Sequence, residues 1–172
     1  MKEKNKVISF VIVIFVLFLG LFILGNPNNK SDNKIGSTSS EVSTEQQLKA
    51  PEVFYDFGVI SMKNGDVSKR FKVTNESSED ILMPSLATSC MCTRAYFIGP
   101  DGNKVGPFGM PGMGIVPKLN KMIKAGESID IEVIYDPNAH GPAGVGMIDR
   151  FVYLEDVNGN KIQFEIKANV TP

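Results

Sequence analysis

The sequence has no tryptophan, one histidine and two cysteines among its 172 residues. Two cysteines allow at most one intrachain disulfide, which excludes a small domain held together by a disulfide framework. Two cysteines and one histidine also fall short of the four ligands of a structural zinc site. No Gly-x-Ser-x-Gly elbow, P-loop or dinucleotide fingerprint accompanies the single His140. We therefore expect no catalytic residues and a protein that is not an enzyme.

An excess of charge of one sign is also lacking. The chain has 18 Lys and Arg against 19 Asp and Glu, a formal net charge of −1. No basic run interrupts this balance, so the sequence predicts no nucleic-acid partner.

Charged residues are absent from residues 7–24, which are almost entirely Val, Ile, Leu and Phe. A helix of that length spans about 27 Å, close to the thickness of a bilayer core. Lys2, Lys4 and Lys6 precede it, which predicts a cytoplasmic N-terminus and an extracytoplasmic C-terminal bulk. Neither an Ala-x-Ala cleavage site nor a cysteine follows the run, which favours an uncleaved single-pass anchor over a signal peptide or lipid anchor.

The rest of the chain, outside residues 7–24, divides into three segments of different composition. Residues 1–6 are a short cytoplasmic tail, and residues 25–50 are rich in Asn, Ser, Thr, Lys and Gln with no apolar periodicity. Such a segment buries too little surface to fold and is expected to be a flexible linker. Residues 51–172 form the predicted domain.

Apolar residues in this domain recur with a period of two, over 67–74, 129–135 and 162–170. This alternation predicts half-buried strands. Asn64-Gly65 and Asn158-Gly159 are hairpin signals, and the second joins strands at 151–156 and 161–170. Residues 99–122 are rich in Gly and Pro, which predicts a long irregular loop. The fold class expected is all-β, an immunoglobulin-like antiparallel β-sandwich.

Cys90 and Cys92 flank Met91 directly after a strand-like run at 81–87. Residues two apart in an extended segment face the same side, so both sulfur atoms can address one partner. A disulfide between them closes a very small ring, and such a strained bridge suits exchange chemistry. Three interpretations stay open: two small packed residues that close a turn, a soft-metal site, or a redox pair.

The metal interpretation draws on the methionines. Thiolate and thioether are the ligands that select Cu(I). Met91 lies between the cysteines, and Met110 and Met113 lie in the Gly/Pro loop, with Met147 as an alternate. The candidate metal ligands are Cys90, Cys92, Met110, Met113 and His140.

Several motifs occur in a recognisable order: Phe57-Gly58-Val59-Ile60, Phe71-Lys72-Val73-Thr74-Asn75, Ser89-Cys90-Met91-Cys92-Thr93 and Ala125-Gly126-Glu127-Ser128. Over about residues 52–171 the chain resembles the bacterial domain-of-unknown-function family 1573, which is similar to Hydin-like immunoglobulin-type domains. The resemblance implies an immunoglobulin-like sandwich, extracytoplasmic placement and no established activity. Met91 replaces the central glycine of the family's Ser-Cys-Gly-Cys-Thr motif. The loop at 99–122 resembles an insertion relative to compact members of the family.

Two functions are therefore expected. The first is a membrane-anchored, extracytoplasmic, non-enzymatic binding or scaffolding module, whose partners are the membrane and another envelope protein. Its binding surface would be the long loop or an unpaired edge strand. The alternative is an envelope Cu(I)-binding or thiol-redox protein that uses Cys90 and Cys92.

Overall fold

The computed structural model describes residues 47–114 and 117–172. The predicted cytoplasmic tail, the anchor at 7–24 and nearly all of the predicted linker lie outside the described residues. Within the described ranges, no helix has the length and apolarity needed to cross a bilayer.

The described residues form eleven β-strands and two short 3-10 turns. The strands are β1 Leu48–Lys49, β2 Phe54–Ser61, β3 Val67–Asn75, β4 Ile81–Met83, β5 Ser85–Thr88, β6 Thr93–Ile98, β7 Lys104–Phe108, β8 Lys121–Ile123, β9 Ser128–Tyr135, β10 Gly146–Glu155 and β11 Lys161–Thr171. The 3-10 turns are Met62–Asn64 and Gly141–Gly144.

Two sheets face each other. One has five strands in the order β1-β3-β9-β6-β7, the other has four in the order β2-β11-β10-β5, and β4 pairs with β8 in a separate ribbon. The alternating residues of β3, β9, β10 and β11 point into the space between the sheets and form the core. At its centre Phe71 of one sheet stacks on Phe164 of the other, with ring centroids 4.9 Å apart. The prediction of an all-β sandwich is confirmed.

The edge strand β2 departs from the expected antiparallel arrangement. It runs parallel to β11, and the register slips between Lys167 and Asn169. Phe57 and Gly58 of β2 together face one residue of β11 at this bulge. Gly58 has a φ of +68°, a conformation that side chains with a Cβ rarely adopt. The Phe-Gly motif therefore marks a bulge on a parallel edge strand.

Two local predictions are wrong. The segment at 99–122 is not irregular throughout, because β7 pairs with β6 and buries Phe108 opposite Ala95. Asn64-Gly65 is not a hairpin turn, because β2 and β3 on either side of it belong to different sheets. The predicted hairpin at Asn158-Gly159 is confirmed, with a ten-pair register between β10 and β11.

The sandwich begins before residue 51. Leu48 pairs with Asn75 and is buried, so the last residues of the predicted linker range belong to the five-stranded sheet. The fully buried Asn75 side chain donates to the carbonyls of Glu79 and Ile123 and accepts from the amide and hydroxyl of Ser77. This one side chain therefore fixes the end of β3 against the neighbouring loop and β8.

Glu132 is a nearly buried carboxylate on the outer face of the five-stranded sheet. Arg70 Nε donates to its Oε1 at 3.1 Å, and Lys104 donates to its Oε2. Burial alone would raise the pKa of Glu132, but the hydrogen bonds and charges of Lys104 and Arg70 outweigh burial and lower it. A lowered pKa in the folded state means that the ionised carboxylate stabilises the fold.

We expect Glu132→Gln to lower the free energy of unfolding by about 1–3 kcal/mol at pH 7, because two charge-assisted hydrogen bonds are lost. The Glu132 contribution is fully present above the unfolded pKa of about 4.3 and is lost as the pH falls through the lower folded value. The difference between wild type and variant should therefore shrink below about pH 4. Urea unfolding of wild type and variant, followed by far-UV circular dichroism at pH 7 and again below about pH 4, measures this difference in the free energy of unfolding.

Glu76→Gln is the matched control, because the Glu76–Lys49 pair is exposed on both sides. Its effect should stay within about 0.5 kcal/mol. An equal loss for both variants, or a Glu132→Gln effect that does not depend on pH, would contradict the assignment.

Candidate redox and metal site

The cysteine pair lies where the chain crosses from one sheet to the other. Residues 89–92 connect β5 of the four-stranded sheet to β6 of the five-stranded sheet. Buried Thr88 closes this connection, because its single hydroxyl proton is shared between the carbonyls of Cys90 (3.0 Å) and Thr93 (3.1 Å). Ser89 holds it to β10, exchanging backbone and side-chain hydrogen bonds of 2.9 Å with Phe151.

Cys90 and Cys92 are joined by a disulfide, with Cα atoms 5.3 Å apart. The two sulfur atoms have different surroundings. Cys90 is half-buried at the rim of the sandwich, whereas Cys92 is only 1% exposed and belongs to the core. An attacking group from outside therefore reaches Cys90 far more easily than Cys92.

His140 faces the accessible cysteine. Its Nε2 lies 3.2 Å from Cys90 Sγ, and its side chain is exposed. The loop that carries it follows β9 and is tied to the cysteine connection, because the Asp136 amide donates to the Cys92 carbonyl at 2.9 Å. The Asp136 carboxylate also accepts from the Asn138 amide at 2.8 Å, which shapes the turn that leads to His140.

Arg150 faces the buried cysteine. Its Nε donates to Cys92 Sγ at 3.2 Å, and its Nη1 donates to the Asp149 carbonyl at 2.8 Å. In the part of the chain that the structure describes, Arg150 makes no ion pair. Burial raises the pKa of nearby Tyr135, and the Arg150 charge only partly opposes this increase. Because no carboxylate of the described residues pairs with Arg150, its guanidinium can stabilise negative charge on Cys92 Sγ.

Arg150 is a site residue that is not among those predicted from the sequence. It occupies an inward-facing position of β10, between the buried Ile148 and Val152. A cation within an otherwise apolar alternating stripe is the signal that would have found it, since unpaired charges are seldom turned toward a core.

The expected metal ligands fall into two groups. The ligand atoms of Cys90, Cys92 and His140 all lie within 4.8 Å of one another. Met110 and Met113 instead line a pocket together with Met91, on the β6–β7 side of the connection.

Met147, the alternate ligand, is 73% exposed at the start of β10. It is not among the residues that line the pocket of Met91, Met110 and Met113.

This arrangement is suited to stabilising thiolates. An imidazole beside one sulfur and a guanidinium beside the other favour the anionic form of each cysteine once the disulfide opens. The same two sulfur atoms and one imidazole nitrogen also match the ligand types that bind soft metal ions.

No protein-family model and no curated protein sequence matches the chain. Among solved structures it is similar to a protein of unknown function from Porphyromonas gingivalis W83, with a TM-score of 0.51 and 13% identity over 71% of this chain. The chain spans 46% of that protein. At this identity the likeness bears on the fold alone.

Two of the other similar structures have lower TM-scores. One is the ASH/PapD-like domain 7 of human CEP192, with a TM-score of 0.46 and 10% identity over 83% of this chain and 97% of that chain. The other is the secreted serine protease VesC from Vibrio cholerae, with a TM-score of 0.46 and 12% identity over 75% of this chain and 25% of that chain. With TM-scores below 0.5, neither supports a conclusion about function.

We expect Arg150→Gln to make the Cys90–Cys92 disulfide harder to reduce, because the Cys92 thiolate loses its neighbouring charge. A tenfold shift of the reduction equilibrium toward the disulfide corresponds to about 30 mV. Equilibration of the full chain in glutathione redox buffers, followed by alkylation and mass spectrometry, measures this shift.

Arg94→Gln is the matched control, because the Arg94 guanidinium is already bound to the carboxylate of Asp66. It should leave the equilibrium unchanged. If Arg150→Gln and Arg94→Gln behave alike, Arg150 has no electrostatic role at the disulfide.

Proposed function

We propose that this protein is an immunoglobulin-like module of the cell envelope that accepts electrons from a partner dithiol through its Cys90–Cys92 disulfide. The observation that carries the proposal is the pair of contacts on the two sulfur atoms. His140 lies against Cys90, Arg150 lies against Cys92, and each contact is 3.2 Å long. A disulfide that serves only to close a turn needs neither group.

The exchange proceeds in two balanced steps. A partner thiolate attacks Cys90 Sγ, which forms a mixed disulfide and releases Cys92 as a thiolate beside Arg150. The second partner thiolate then attacks the partner sulfur of the mixed disulfide and releases Cys90 as a thiolate beside His140. The partner dithiol is oxidised to a disulfide, the Cys90–Cys92 pair is reduced by two electrons, and the two thiol protons are left with the reduced cysteines or the solvent.

The difference in burial sets the order of the steps. Cys90 is the accessible atom, so it is the site of attack, and buried Cys92 is the leaving group. Thiol–disulfide exchange is faster when the leaving thiolate is stabilised, which is what the Arg150 charge provides.

Placement in the envelope is supported by the sequence. Residues 7–24 have the length and apolarity of a membrane anchor, and basic residues precede them. A disulfide persists in the oxidising compartments outside the cytoplasm and is rare within it. The resemblance to family 1573 points to the same compartment.

In the full chain we expect Cys92→Ser to form a mixed disulfide with glutathione at Cys90, because Cys90 is accessible and adjoins His140. Cys90→Ser should react at least about tenfold more slowly, because its remaining thiol is buried. Mass spectrometry of samples quenched at intervals during reaction with glutathione disulfide measures both rates.

The wild-type disulfide should also be reduced by dithiothreitol without loss of the β-sheet circular dichroism signal. Equal rates for the two single-cysteine variants, or reduction only after unfolding, would show that the disulfide is purely structural.

Binding of Cu(I) by the reduced site is a second candidate function. It is favoured by the convergence of two sulfur atoms and the His140 nitrogen within 4.8 Å. Once the disulfide is opened, these atoms supply two thiolates and one imidazole, a donor set with high affinity for Cu(I).

For this candidate, reduction should add one equivalent of Cu(I) binding to the full chain, measured by competition with a chromogenic Cu(I) chelator. Cys90→Ser should remove the added equivalent, and His140→Gln should weaken it. If reduction adds no binding, the site is not a metal site.

A further inference from the structure

Three methionine residues line one pocket beside the cysteine connection. The pairing of Ala95 with Phe108 places the end of β7 alongside the start of β6. The Thr88 amide then donates to the Gly109 carbonyl at 3.1 Å, which holds the following residues next to the connection. The pocket has a volume of about 220 Å³ and is lined by Met91, Thr93, Arg94, Pro107, Phe108, Gly109, Met110, Met113 and Pro117.

A tight turn brings two of the methionines together. The Met113 amide donates to the Met110 carbonyl at 3.4 Å, so these residues lie at the two ends of one turn. Gly112 within this turn has a φ of +87°, a conformation that glycine adopts without strain. Met91, which belongs to the cysteine connection, also lines the pocket.

These methionines do not fill the core. Met91 is 52% exposed, Met113 is 57% exposed and Met110 is half-buried, whereas Phe108, which also lines the pocket, is buried. A methionine used as core filler is enclosed by its neighbours, as fully buried Met83 is. Three methionines that line one pocket and lie outside the buried core keep thioether groups near solvent, where a ligand can reach them.

The electrostatics of the pocket select the kind of ligand. The described residues that line it include no carboxylate, which is a main ligand of hard cations such as Ca²⁺ and Mg²⁺. Arg94, the cationic residue among the described lining residues, is bound to Asp66, which offsets its charge. Neutral thioether sulfur is a soft donor that prefers Cu(I) among the biological metals.

We propose that Met91, Met110 and Met113 bind one soft monovalent cation, Cu(I), through their thioether sulfur atoms. Methionine has three rotatable side-chain bonds, so methionine side chains around a pocket at the surface can close on an ion. This site shares no residue with the Cys90, Cys92 and His140 group. The methionine site can therefore bind its ion while the disulfide is intact. A failure of the redox proposal would not affect it.

The probe is Ag(I), which shares the ligand preference of Cu(I) and needs no reductant. The full chain, labelled with ¹³C at its eight methionine methyl groups, is titrated with Ag(I) while the disulfide is intact. We expect saturable shifts of the Met91, Met110 and Met113 methyl signals at one equivalent. Zn²⁺ at the same concentration should produce no shift.

Variants make the assignment specific. Met110→Leu combined with Met113→Leu should weaken Ag(I) binding at least tenfold, and the substitution of Leu for Met nearly conserves side-chain volume. Met122→Leu combined with Met147→Leu is the matched control, because both side chains are exposed and lie outside the pocket. This control should change the affinity less than twofold.

A variant with Cys90→Ser and Cys92→Ser separates this site from the cysteine site and should retain the three methyl shifts. Binding that appears only after reduction would overturn the methionine site and assign the ion to the cysteines. Equal shifts of all eight methyl groups would show nonspecific binding. No saturable shift would leave the pocket as a surface for an apolar side chain of a partner, which would also refute the proposal.

Discussion

A four-residue connection between facing sheets is the constraint on which the site depends. Packed sheets lie about 10 Å apart, and residues 89–92 span this distance between β5 and β6. So short a crossover has little conformational freedom, and the Thr88 hydroxyl fixes it further through two carbonyls. The cysteines therefore lie between the two sheets. His140, in the loop after β9 of the five-stranded sheet, and Arg150, on β10 of the four-stranded sheet, both contact them there. A slip of β10 by one residue would turn Arg150 to the opposite face.

The parts of the fold that depend on local pattern were predictable from the sequence. Alternation identified β3, β9 and β11, and Asn158-Gly159 identified the hairpin before β11. The parallel pairing of β2 with β11 was not predictable, because it joins segments about one hundred residues apart and leaves no local signal. Strand β7 was missed because Gly106 and Pro107 dominate its composition, although an edge strand tolerates proline.

The sequence predicted which cysteine, histidine and methionine residues belong to the candidate sites, but not how those residues are grouped in space. The Cys90-Met91-Cys92 spacing predicted that both sulfur atoms share one side, and the structure brings His140 to the same place. Sequence spacing could not divide the sulfur ligands into a cysteine group and a methionine group. That division depends on the pairing of β6 with β7, which is a tertiary contact. Arg150 was missed because the strand was predicted to start at residue 151.

The position of β1 has a consequence for how the domain is presented. Strand β1 pairs at the end of β3 that adjoins Ser128, whereas the cysteine connection adjoins Tyr135 at the other end of β9. Seven steps along that strand amount to about 24 Å. Whatever precedes residue 47 thus joins the sandwich at the pole opposite to the disulfide. A surface that held the sandwich by its N-terminal end would therefore have the disulfide at the far end of the sandwich.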